Sequence, residues 1–132
     1  MAICQLIYTK RPAAKITADD FAQIALQHQT ANNESRVSGL LAFHQDSFMH
    51  LLEGDKKTVH ALLKKVQRDA RYTDVETVLH NENADRIMLT WVVASDFNVH
   101  GIHLLLSLDD ARSLCAEIEG DIGLAFVEFL GA

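Results

Sequence analysis

The sequence predicts an α+β fold: one antiparallel sheet, two helices on one of its faces, and further helices at the C-terminus. Three observations carry this expectation. Five runs of β-branched and large apolar residues are separated by polar, turn-forming stretches, and two runs of helical periodicity fall between them. After Asp96 the pattern is helical alone. At 132 residues, 48% hydrophobic and 23% charged, the chain has material for one domain with a real core and is short for two.

The first strand is expected over 2–8, where Cys4, Leu6 and Tyr8 alternate with Ile3, Gln5 and Ile7. Both faces are largely apolar, which suits a central strand. Residues 9–15 contain Pro12 and read as a loop. Thr17 with Asp20 three positions on resembles a capping box, and Phe21, Ile24, Ala25 and His28 follow at helical spacing, giving a helix over 17–29. Residues 30–36 are polar and turn-forming. Strands follow over 37–43 and 47–53, joined by a short hairpin at 44–46. Val59, Leu62, Leu63 and Val66 define a second amphipathic helix ending near Arg68. Two more strands are expected over 73–79 and 87–93, around a polar turn at 81–85. The order βαββαββ is the ferredoxin-like arrangement with one strand added, its two helices on one sheet face with a groove between them. Ser107 and Asp110 can cap a third helix carrying Ala111, Leu114, Cys115 and Ile118. Gly120 is expected to stop it, and Ile122, Phe126, Phe129 and Leu130 make a fourth. This C-terminal segment is expected on the sheet face left bare by the first two helices, or on another subunit.

Composition narrows the function. The formal charge is −6 and the twelve bases are scattered, which argues against binding a phosphate backbone. Cys4 and Cys115 lie in apolar patterns, as expected of buried reduced thiols, with a disulfide as the alternative. No apolar run approaches the ~20 residues needed to span a bilayer, and the N-terminus lacks signal-peptide features, so a cytoplasmic location is expected.

Among seven histidines, His100 and His103 are three apart and His44 and His50 flank a hairpin. Zinc needs further convergent ligands at recognisable spacing. None is visible, and no metal site is expected. Phosphate loops and a nucleophile elbow are absent, and a His–Cys nucleophilic pair is disfavoured because both cysteines read as buried. Attention falls on His50, which shares a strand face with Phe48 and Leu52. A buried ring there needs a polar partner, because leaving it unpaired costs roughly 1–3 kcal/mol. It reads either as a core histidine bonded to a neighbour or as part of a binding site. Tyr8, Asn32 or Asn33, and Trp91 lie near the same groove, each with an equally ordinary structural explanation.

The run LIYTK around Tyr8, the segment NNESRVSGLLAF, then FMHLLEGD, VQRDARY and RIMLTW occur in order over roughly residues 2–95. Together they resemble the BLUF domain, a blue-light sensor that binds FAD. The C-terminal helices resemble the appendage of short members. The resemblance implies a flavin-binding domain over 1–96, an appendage over 97–132 packed on the sheet, and FAD between the first two helices. FMN, or no flavin in a degenerate site, are the alternatives. Tyr8 matches the tyrosine that passes an electron and then a proton to the excited flavin, and Asn32 the asparagine that bonds the flavin ring, with Asn33 beside it. Trp91 matches a semi-conserved tryptophan, Val93 stands where many members have methionine, and Arg71 matches a basic position near the nucleotide end. His50 stands where the family has glutamine, between the tyrosine and the flavin.

A glutamine amide offers donors and acceptors that can exchange, whereas a neutral imidazole offers one of each. Flavin binding with an altered photocycle is therefore expected. With a reference pKa near ~6.5, His50 would also make that photocycle pH-dependent. The functional expectation is a non-enzymatic photoreceptor signalling through its C-terminal helices to a downstream protein or by self-association. The alternative is a light-inactive interaction or regulatory module. No set of acid, base and nucleophile supports an enzyme.

Overall fold

The computed structural model describes residues 3–97, 99, 102 and 105–131. The element order is β1 (Ile3–Pro12), α1 (Ala18–Glu34), β2 (Ser38–His44), β3 (Ser47–Gly54), α2 (Lys56–Gln67), β4 (Tyr72–Ala84), β5 (Trp91–Ala94), β6 (Leu105–Leu106), α3 (Leu108–Ala116) and α4 (Asp121–Leu130). The sheet runs β4-β1-β3-β2-β5-β6. Its first four strands pair antiparallel in the ferredoxin-like order, and β5 and β6 extend it in parallel beyond β2. His100 and His103 lie outside the described residues.

Alternation along the central strands builds two cores. Leu6, Tyr8, Leu41, Phe48 and Leu52 face α1 and α2, where Phe21, Ile24, Ala25, Val59, Leu63 and Val66 meet them. Ile7, Leu40, Ala42, Met49 and Leu51 face the other way, against Leu108, Ala111, Cys115, Ile122, Phe126 and Leu130 of α3 and α4. The C-terminal helices thus cover the sheet face that α1 and α2 leave bare. Cys4 and Cys115 are free, buried thiols on opposite faces.

Local chemistry explains the boundaries. Thr17 and Asp20 form the expected capping box of α1, with Asp20 N donating to Thr17 Oγ1 (3.1 Å) and Thr17 N to Asp20 Oδ2 (2.9 Å). Asp55 accepts from Thr58 N and starts α2. Gly39, with φ of 152°, lies so close to β3 that a Cβ would sit 1.8 Å from the Leu51 carbonyl oxygen.

Several expected boundaries are corrected. β1 does not end at Tyr8: it continues through Lys10 to Pro12, because Arg11 and Pro12 pair with Thr73 and Tyr72 of β4. Helix α1 does not stop at Gln29. Beyond His28 its inward stripe is continued by buried Asn32, a polar residue that a hydrophobic pattern cannot register. The region 81–85 is no turn. Residues Asn81 to Ala84 remain strand, paired with β1 and tied by Asn81 Nδ2 to Gln5 Oε1 (3.3 Å). The last long strand begins at Trp91 rather than at 87, because Ile87 N and Met88 N are drawn onto the Glu53 carboxylate, both at 2.7 Å, instead of a sheet ladder. Gly120 caps the start of α4, and β6 was not expected at all.

Candidate functional site

Register places the site. Tyr8 of β1 stands opposite His50 of β3, His50 opposite Leu41 of β2, and Leu41 beside Val93 of β5, giving one row across the sheet beneath α1 and α2. Trp91 is two positions before Val93 and so shares its face. Trp91 donates its indole N–H to His50 Nε2 at 3.0 Å, and Tyr8 Oη lies 2.8 Å from His50 Nδ1. An indole can only donate, so Nε2 must hold a lone pair. The neutral ring therefore carries its hydrogen on Nδ1 and donates to Tyr8 Oη.

Burial, with His28 and Lys10 nearby, holds His50 well below the ordinary histidine pKa of 6.5. The reference value does not describe this ring, and His50 is not the group that titrates near neutrality. Burial likewise pushes the Tyr8 hydroxyl well above its ordinary value. Both ring nitrogens of His50 are spent on protein partners, so the position is filled as well as buried.

Above this row, α1 and α2 enclose a cavity of about 200 Å³ lined by Tyr8, His28, Asn32, His50, Leu62, Val66 and Tyr72, with Asp69 and Arg71 also in its wall. Asn32 is 1% exposed, and its side-chain nitrogen has no hydrogen-bond partner in the fold. An unpaired buried amide in a cavity wall is expensive unless a ligand acceptor meets it. That donor suits a flavin ring carbonyl, and the residues present fit the group to that extent.

The remaining expected residues separate. Arg71 is held by a bidentate pair with Asp69 and by Gln27 Oε1 at 2.8 Å, half-exposed at the cavity edge. Asn33 is exposed and lines a shallower groove with Arg36 and Arg86, outside the cavity. Two residues were missed. Lys10, fully buried, donates to His28 Nε2 at 2.8 Å and lies 3.6 Å over the Tyr72 ring. Desolvation lowers its pKa from 10.5 to about 7, with Arg71 pushing the same way and Asp69 opposing. His28 packs edge-on against His50, ring centroids 5.0 Å apart. The signal for Lys10 was its parity with Tyr8, which an earlier strand end concealed.

Glu53 of the LEG motif has a structural part. Wholly buried, its carboxylate accepts from Gln5 Nε2 (2.8 Å) and the backbone of Ile87 and Met88, fastening the segment that leads into Trp91.

A ferredoxin-like sheet with a polar row beneath a two-helix cavity places a candidate small-molecule pocket between the sheet and the helices α1 and α2. The family model for BLUF, sensors of blue-light using FAD, matches residues 3–94, and the chain belongs to this family. No curated protein sequence matches it. The dark-state structure of BlrB, a BLUF protein, aligns with TM-score 0.70 at 16% identity, covering 98% of this chain and 94% of that one. A bacterial light-regulated adenylyl cyclase aligns with TM-score 0.67 at 20% identity, covering 87% of this chain and 31% of the cyclase. Klebsiella pneumoniae BlrP1 with FMN and cyclic diGMP gives 0.59 at 22% identity, covering 81% and 26%. At these identities the alignments show the fold, and the chain spans about a third or less of the last two proteins.

Proposed function

We propose that this chain is a blue-light sensor module that binds FAD, or FMN in its place, between α1 and α2, with a photocycle altered by His50. The orphaned Asn32 amide in the cavity wall carries the reading. Asn32 donates to the ring system, Arg71 attends the nucleotide end, and Tyr8, His50 and Trp91 are the photoactive row. The flavin supplies light absorption and electron acceptance when bound. Tyr8 and its hydrogen-bonded imidazole supply the protein side of any proton movement.

Signal transmission follows from strand parity. His50 faces the cavity, while Met49 and Leu51 on either side of it face α3 and α4. A displacement of β3 at His50 is therefore felt by the C-terminal helices. We assign residues 1–96 to flavin binding and 97–132 to output, toward a downstream protein or a second copy, in the cytoplasm and without enzymatic chemistry.

A second reading, a light-inactive BLUF-fold regulatory module, is favoured by the fully engaged His50 and by a cavity smaller than the ~300–1,000 Å³ of ordinary ligand sites. Absorption spectroscopy separates the two. Protein that is purified yellow, or becomes so with FAD, supports the sensor. Colourless protein that ignores FAD supports the module. A full-sized stable red shift on blue illumination at neutral pH would show that His50 does not impair switching.

A further inference from the structure

At the far end of the same helix–sheet interface, three side chains from separate elements converge. Cys4 of β1, His60 of α2 and His80 of β4 bring one sulfur and two imidazole nitrogens within 4.8 Å of one another, the grouping of this kind among the described residues. His60 Nε2 and His80 Nε2 are 3.4 Å apart. Tetrahedral zinc with Zn–N bonds of about 2.0–2.1 Å sets its nitrogens roughly 3.4 Å apart, so the two rings already stand at the ligand–ligand separation. Two imidazoles facing each other through the same nitrogen share one hydrogen bond at most, and a cation between them uses both lone pairs.

We propose that Cys4, His60 and His80 form a binding site for a divalent transition ion of the zinc class. Thiolate with imidazole selects such ions over magnesium or calcium, which prefer oxygen donors. The fourth position opens toward solvent on the His80 side, where the Glu82 carboxylate lies 4.0 Å from His80 Nε2 and is paired with Lys56. Cys4 is four residues along β1 from Tyr8, or roughly 13 Å at strand rise, so the site is distinct from the flavin cavity. It nevertheless fastens α2, which forms one wall of that cavity, to β1 and β4. None of this depends on flavin being bound.

The test uses the full chain, stripped with chelator and titrated with Zn²⁺ alone against a chromophoric competitor. The expected result is one Zn²⁺ per chain, a thermal midpoint that rises with Zn²⁺ and not with Mg²⁺, and a thiolate charge-transfer band when Co²⁺ is substituted. His80→Asn, at an exposed strand position, and Cys4→Ser should each weaken binding by at least the roughly 10–100-fold that losing even an outer partner of a ligand costs. If Cys4→Ser fails to fold, His80→Asn decides. Absence of stoichiometric Zn²⁺ in the parent chain, or unchanged affinity in His80→Asn, overturns the proposal.

Discussion

Trp91 holds His50 in a single tautomer: its indole N–H donates to Nε2 at 3.0 Å, which leaves Nδ1–H for Tyr8. Any new bond from His50 to a cavity ligand must displace one of these partners. An amide with two donor hydrogens and a two-lone-pair oxygen is not limited in this way. The expected outcome of His50→Gln is therefore a red shift of the bound flavin spectrum on blue illumination, several-fold larger than in the parent protein. Light–dark difference spectra of the two proteins measure it. Equal amplitudes would remove His50 as the cause of altered switching.

Asn32 offers a prediction with opposite signs in two assays. In the fold alone its amide nitrogen is buried and unpaired. Asn32→Leu removes that penalty, so stability without flavin should rise by about 1 kcal/mol. The same change deletes the donor proposed for the ring, and flavin affinity should fall about tenfold, equivalent to about 1.4 kcal/mol. Denaturant titration and flavin fluorescence quenching give the two numbers. Loss of stability with unchanged affinity would make Asn32 a structural residue only.

What the sequence disclosed and what it hid follow from the range of the interactions concerned. Strand alternation put His50 on one face with Phe48 and Leu52, and Tyr8 on one face with Cys4 and Leu6, because a strand's side-chain period is local; that the two faces coincide depends on the β1–β3 register. Periodicity lost α1 after Gln29 because the buried residue that continues its inward stripe there is Asn32, which no hydrophobic count includes. The start of β5 was misplaced because a carboxylate 34 residues away in sequence, Glu53, takes up the Ile87 amide. Lys10 escaped because Pro12 suggested a loop, whereas pairing with the edge strand β4 carries β1 as far as Pro12. Cys4, His60 and His80 have no shared spacing at all, since their meeting depends on α2 lying across β1 and β4.

Lys10 makes stability depend on pH in a stated direction. Its folded pKa is about 7 against 10.5 unfolded, so between these values the unfolded chain binds the extra proton. Stability therefore increases as pH rises from about 7 toward 10.5, and the cost of charging the buried amine is fully present below about 7. The slope within that window approaches about 1.4 kcal/mol per pH unit from this group. Urea unfolding of flavin-free protein at a series of pH values, compared with Lys10→Met, isolates it, because the variant should lack this component. Parallel profiles for the two proteins would show that Lys10 is solvated in solution.

Glu53 is a stability determinant that also bears on the site. Its carboxylate collects Gln5 Nε2, Ile87 N and Met88 N in a buried position. Glu53→Ala leaves the Ile87 and Met88 amides without their acceptor, while Gln5 Nε2 keeps the Asp85 carbonyl at 2.9 Å, and unsatisfied buried groups cost roughly 1–3 kcal/mol each before relaxation. A loss of about 3 kcal/mol is expected, lowering the thermal midpoint by roughly 10 °C for a chain of this size. The segment so released leads directly into Trp91, the only tryptophan of the chain. Its fluorescence should shift toward that of a more solvated indole in folded Glu53→Ala, because the donor to His50 is no longer held in register. Glu53→Gln keeps one oxygen acceptor but points N–H groups at N–H groups, so it should recover only part of the loss. Full stability in either variant, with unchanged Trp91 emission, would mean that residues 85–90 are positioned by other contacts.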